Sequence, residues 1–262
     1  MKNRIYACLL LCLAALLILC VPVSAPAETQ AELADAVTYN AGRTTISWTV
    51  TGTDSGTWYV MGRVVENGKS EQQRFLIGTT GAHQIEAVSM IPGKKYEIEL
   101  VDENFITRAT KVYQMPKAKK FKDSMLKSKS IMIRITPVKQ SGSGDPKQTK
   151  ALKADTIAKA AAGDGTRYGV KYHIRMPQLV KTRTFFVTIA FESPDGFVKT
   201  VHAGDITFKK VSNGYQTLWF NMIGDDFFTD LYTTTNQIDR GTYKVHTFWD
   251  GMLVKTLKFK VE

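Results

Sequence analysis

Apolar and polar residues alternate with period two through most of the chain. Ile46, Trp48 and Val50 alternate with Thr45, Ser47 and Thr49, and Tyr96, Ile98 and Leu100 with Glu97 and Glu99. Farther on, Ile131, Ile133 and Ile135 alternate with Met132 and Arg134; Tyr172, Ile174 and Met176 with His173 and Arg175; Leu257, Phe259 and Val261 with Lys258 and Lys260. Successive side chains of a strand point to opposite faces, so each run has one face to bury and one to wet. Turn residues separate the runs at Asn67-Gly68, Pro92-Gly93, Asp195-Gly196, Asn213-Gly214 and Asp250-Gly251. Short strands punctuated in this way predict an all-β protein of sandwich type. The lysine-rich stretch after Pro116 divides it into two β-sandwich domains in series. One short helix is expected in the second, because Lys150–Ala162 is alanine-rich, lacks Gly and Pro, and is followed by Gly163.

The expected organisation is a signal peptide over 1–27, a flexible N-terminus over 28–34 and a first sandwich over 35–115. A basic linker or first strand over 116–130 follows, then a second sandwich over 131–262 with an insertion at 140–165. Lys2 and Arg4 precede an apolar run over 5–21, and Ala25-Pro26-Ala27 places small residues where a signal peptidase cuts, before Glu28. An uncleaved anchor helix and a lipid-bearing Cys20 are the two other readings of this segment. Cys8, Cys12 and Cys20 are the chain's three cysteines, so the part after the leader has no thiol for nucleophilic catalysis, zinc ligation or disulfides. An exported chain without cysteine points to a Gram-positive bacterium and to an extracellular, wall-associated place. The formal net charge is +11, and the leader removes only two of the 35 basic residues. Such a chain is drawn to anionic surfaces. Outside a cell these are envelope polymers rather than nucleic acid, and membrane contact is expected only through an uncleaved leader. The alternative is that the lysines simply keep strand faces and edges soluble.

The stretch Met90-Ile91-Pro92-Gly93-Lys94-Lys95-Tyr96-Glu97-Ile98 resembles the E–F corner of a fibronectin type III domain, and Trp48 resembles the buried Trp of that family's second strand. The resemblance covers about 80 residues. It implies strand A at 35–40, B at 44–51, C at 57–65, C′ at 71–79, E at 83–90, F at 95–102 and G at 107–114. It also implies that Trp48, Pro92, Gly93 and Tyr96 are structural, with the Tyr96 hydroxyl bonded to upstream backbone. No Arg-Gly-Asp triplet is present, so integrin-type adhesion is not implied. The closing stretch, Gly241–Val254 with Leu257–Val261, flanks the Asp250-Gly251 turn and is similar to the last hairpin of immunoglobulin-like modules. Tyr243 is a candidate second corner tyrosine.

Candidate chemistry is sparse. His83, His173, His202 and His246 show no ligand spacing, and neither a His-Glu-x-x-His nor a Gly-x-Ser-x-Gly motif occurs. His173 and His246 fall on strand faces opposite the apolar set and are expected to be solvated. Asp225, Asp226 and Asp230 form the densest acidic group; solvated loop acids, a calcium site and a glycosidase pair remain open. No cofactor and no catalytic residue are expected, and the chain is read as a non-enzyme. Aromatic doublets offer Trp58, Trp219, Phe227, Phe228 and Trp249 as ligand contacts, because one member of each doublet should face outward. Lys117, Lys119, Lys120 and Lys122 offer electrostatic attraction. The expected function is a secreted, non-catalytic binding protein at the bacterial surface, adhering to an anionic envelope polymer or a protein partner. A carbohydrate-binding accessory protein of an extracellular polysaccharide-processing system is the alternative.

Overall fold

A computed structural model describes residues 28–54, 56–65, 74–88, 90–122, 132–141, 147–148, 166–176, 179, 181–194, 196–209, 216–223 and 240–261. The described residues are all-β, with no helix among them. The helix expected over 150–162 lies outside them.

The N-terminal sandwich has eight strands: β1 (Gln30–Leu33), β2 (Thr38–Asn40), β3 (Arg43–Thr51), β4 (Trp58–Val64), β5 (Phe75–Thr80), β6 (Gln84–Glu86), β7 (Lys95–Val101) and β8 (Thr107–Gln114). One sheet runs β1-β3-β2 with β6 also on β3, and the other runs β5-β4-β7-β8. β1 and β2 pair with successive halves of β3, so they form one edge strand interrupted at residues 34–37. The segment expected to be a flexible N-terminus therefore carries a strand. Leu33 is the reason: it is buried in the core beside Ile46, Trp48, Trp58 and Ile98. The remaining strands fall where the fibronectin-like reading puts them, with strand E shortened to β6.

At the corner before β7, the Tyr96 hydroxyl accepts a hydrogen bond from the Ile91 backbone N–H at 3.0 Å. Tyr96 and Ile91 are both buried. Gly93, at φ 81°, turns the chain between them. The bond thus satisfies a donor that water cannot reach.

The C-terminal sandwich follows the same plan, although no sequence repeat announces it. Its strands are β9 (Met132–Ser141), β10 (Lys147–Gln148), β11 (Thr166–Met176), β12 (Arg183–Glu192), β13 (Val198–Phe208), β14 (Gln216–Ile223), β15 (Gly241–Trp249) and β16 (Met252–Val261). The sheets run β10-β9-β11-β14 and β13-β12-β15-β16. Setting aside the short β10, the first, second and fifth strands share one sheet, as in the N-terminal body. Ile133, Val170, Tyr172 and Ile174 pack against Val187, Ile189, Phe191, Tyr243 and Phe259 between the sheets. Tyr243 is fully buried and its ring stacks on Phe259 at 5.1 Å.

The two bodies are joined face-on, not merely in series. β12 is buried on both of its faces from Phe185 to Glu192. Phe185, Val187, Ile189 and Phe191 belong to its own core, whereas Ala190, together with Val198 and Phe248, belongs to the N-terminal cluster. The β2–β3 turn closes the contact at one end. Ala41 (φ 46°) and Gly42 (φ 84°) form it, and it meets a matching β15–β16 turn at Asp250 (φ 46°) and Gly251 (φ 75°). Paired positive φ angles are what a two-residue hairpin demands. A Cβ at Gly251 would lie 2.3 Å from the Tyr39 hydroxyl oxygen, and one at Gly42 would lie 2.7 Å from the Gly251 nitrogen. Arg43 completes the contact, reaching Asp205 at 2.9 Å and lying 4.1 Å over the Phe186 ring.

Two outcomes test this fold. Tyr96→Phe strands the Ile91 N–H and should cost about 1–3 kcal/mol in urea unfolding. Gly251→Ala should cost about 1–2 kcal/mol for the left-handed backbone, plus the clash with Tyr39. Adding Tyr39→Phe to Gly251→Ala should recover the hydroxyl part of the clash, but neither the backbone cost nor the 3.0 Å approaches to the ring Cζ and to the Gly42 nitrogen.

Candidate functional site

The segment leaving β8 is a strap rather than a free linker. Met115 is buried, and Phe121 enters the C-terminal core edge-on to Trp249 at 5.2 Å. Two backbone bonds tie the strap to β16: Leu253 N–H donates to Lys119 O at 2.8 Å, and Phe121 N–H donates to Leu253 O at 2.9 Å. The Lys120–Leu253 bridge is parallel. Lys117, Lys119, Lys120 and Lys122 are all exposed, as are Lys255, Lys258 and Lys260 on β16. A cationic ridge therefore rests on a fixed backbone at the edge of the β13-β12-β15-β16 sheet.

The aromatic candidates divide differently from expectation. Trp58 is fully buried, with its indole N–H donating to Asp54 at 3.1 Å. Trp249 is fully buried and stacked on Phe185 at 5.0 Å. Neither ring can meet a ligand, because Trp58 fills the N-terminal core and Trp249 the C-terminal one. Phe248, the other member of the doublet, is buried too, since the N-terminal sandwich covers that face. Trp219 lies on β14 with its Cα registered opposite His173. Phe227 and Phe228, with Asp225, Asp226 and Asp230, fall outside the described residues.

Sequence reasoning missed Phe105. It is 74% exposed, at φ 60°, and stacks on Tyr59 at 5.2 Å. Asp102 braces its loop, accepting from the Asn104 and Ile106 N–H groups at 2.9 Å each and from the Arg108 side chain at 2.6 Å. Although burial pushes the Asp102 carboxyl up, these bonds outweigh it and hold the group below its ordinary value. The sequence signal was the acid followed closely by two backbone donors and an arginine.

His246 is not solvated. Its Nε2 lies 2.9 Å from Glu192, which also takes Lys244 at 2.7 Å and Lys94 of the N-terminal body at 3.3 Å. The outer face of β15 is the docking face, and this makes the difference. Burial pushes the Glu192 carboxyl up, but hydrogen bonds from His246 and Lys244 and the charges of Lys94 and His246 bring it down to about 2.

Among the described residues no group of three or more His, Cys, Asp or Glu side chains converges as a metal site. Glu97 and Glu99 lie close together on β7, but Arg63 pairs with both and Arg74 reaches Glu99 at 2.8 Å. Among the same residues no helix is long and apolar enough to cross a membrane.

No family model and no curated protein matches the chain. Among solved structures, the FN1–FN3 domains of chicken CNTN1 align with 88% of this chain at 8% identity and a TM-score of 0.23. The alignment spans 63% of that chain's length.

The depressed Glu192 group sets a pH dependence. Ionised Glu192 contributes stability above its ordinary value of 4.5, and the contribution is lost as pH falls toward 2. The melting temperature should drop over that window, and Glu192→Gln should flatten the drop, as read by thermal denaturation at a series of pH values.

Proposed function

We propose that this is a secreted, non-catalytic binding protein of the bacterial surface that adheres to an anionic envelope polymer. The observation that carries the reading is the strap. Its backbone is pinned to Leu253 and its Phe121 is buried, while all four of its candidate lysines remain exposed. A cation on a fixed backbone loses less freedom on meeting a polyanion than one on a floppy linker. The excess positive charge of the whole chain adds long-range attraction. Export rests on the N-terminal leader pattern. The two bodies are read as a fibronectin type III-like module followed by an immunoglobulin-like one.

A protein partner is the second reading, favoured by the exposed, braced Phe105. An exposed aromatic beside the half-exposed Ile106 suits a protein contact better than a charged polymer. The carbohydrate-binding alternative loses Trp58 and Trp249 and retains Trp219.

Binding to purified cell wall should weaken steadily as salt rises from about 0.05 to 0.5 M, as screening of exposed charges requires. Replacing Lys117, Lys119, Lys120 and Lys122 together by Gln should weaken it about tenfold or more at low salt. Sedimentation with wall fragments measures both. Binding indifferent to salt and to the four replacements sinks the electrostatic reading.

A further inference from the structure

The outer face of the β5-β4-β7-β8 sheet carries most of the large apolar side chains that this basic chain leaves in water. Trp58, Val60 and Val64 of β4 and Tyr96, Ile98 and Leu100 of β7 face the core. Period two therefore turns Tyr59, Met61 and Arg63 outward from β4, and Glu97, Glu99 and Val101 outward from β7. Leu76 of β5 is registered opposite Met61, and Val112 of β8 opposite Glu97, so both share that outer face. Leu76 is 55% exposed and Val112 44%. At the end of the face the Phe105 ring stacks on Tyr59, and exposed Ile106 follows it. Four of the five exposed large apolar side chains among the described residues thus lie on this face or on the loop at its end. Leu76, Met61, Tyr59 and Phe105 form one stripe from the β5 edge to the β7–β8 loop.

Two further features mark the face. Phe105 is held at φ 60°, a left-handed backbone that is unfavourable for so bulky a residue, and the Asp102 bonds to Asn104, Ile106 and Arg108 fix the loop around it. A loop that only joins two strands needs no ring displayed in this way, whereas a contact surface does. The charges among the apolar residues also cancel. Arg63 pairs with Glu97 and lies 3.7 Å from Glu99, and Arg74 reaches Glu99 at 2.8 Å. Lys95, exposed at the start of β7, stands at the margin. On a chain of formal charge +11, two copies repel least where such a face meets its like.

We propose that this face is the contact between two copies of the chain, packed sheet on sheet about a two-fold axis. A second copy brings a sheet of the same twist, as aligned packing requires. It brings an equally apolar stripe. A patch whose two arginines are matched by two glutamates is complementary in charge to itself, which an isologous contact demands. The outward positions cover about 20 by 20 Å, or about 400 Å² from each copy. A standard interface takes about 800 Å² from each partner, so the association is weak and reversible. The inference rests on the reading of Phe105 as a protein contact and names the partner; it is independent of the wall reading. The strap lies on the other sandwich, so a dimer presents two cationic ridges to one polymer.

Sedimentation velocity of the exported protein tests this between about 5 and 500 μM. The mean sedimentation coefficient should rise from the monomer toward the dimer across that range. Raising salt from about 0.05 to 0.5 M should strengthen the association, because it screens the repulsion between two basic chains. That is opposite to its expected effect on wall binding, so the two readings fail separately. Phe105→Gly removes the ring and relieves the left-handed backbone. It should weaken association about tenfold or more while leaving the melting temperature of the dilute protein within a few degrees. Leu76→Lys, at an exposed position on the edge strand β5, should weaken it as much. Replacing the four strap lysines by Gln should not weaken it. A monomer at every concentration overturns the second copy as partner, and association that survives Phe105→Gly overturns the Phe105 contact itself. Association that survives Leu76→Lys, or that weakens as salt rises, places the contact elsewhere and overturns the proposal.

Discussion

β12 is covered on two sides, and the architecture turns on that fact. Its inward residues close the C-terminal core, while the other face is sealed by the N-terminal sandwich. Burying a large apolar side chain contributes about 1.5–3 kcal/mol, so Phe186 and Phe248 give the joint a substantial apolar component. Glu192 adds direction. An ionised carboxylate in that setting needs its cations, and they come from both bodies: Lys94 from one, Lys244 and His246 from the other. A slipped docking would remove Lys94 from a buried charge, a costly outcome that disfavours alternative registers.

The strap depends on the same joint. Phe121 fits against Phe185 and Trp249 only because the chain leaving β8 emerges beside the start of β16. One residue faces the core while its lysine neighbours face water. A connection that would otherwise tether two independent bodies becomes part of the second body's surface. Charge and architecture thus meet in the same few residues.

The fold was largely legible because its strands follow period two, and because the Pro92-Gly93 to Tyr96 corner has a local signature. β1 was not, since its four residues are too few to show alternation and only tertiary burial of Leu33 identifies it. The docking face was missed for a related reason. From Phe185 to Phe191 the chain is nearly continuously apolar, the mark of a strand buried on both faces. Alternation cannot register such a strand, and so it places His246 in solvent. The exposed lysines were legible because nothing but water suits so many like charges. Trp58 and Trp249 show the limit of the doublet argument: alternation says that neighbours differ in direction, not which one the core takes.

The shared strand plan places the tight Ala41-Gly42 turn of the first body at the same topological station as the connection from Ser141 to Thr166 in the second. In the first, the turn is wedged against Gly251 and has no room to grow. The second connection holds many more residues. Loop length at the earlier station is thus set by what the turn must abut, and an insertion there would wedge the two bodies apart.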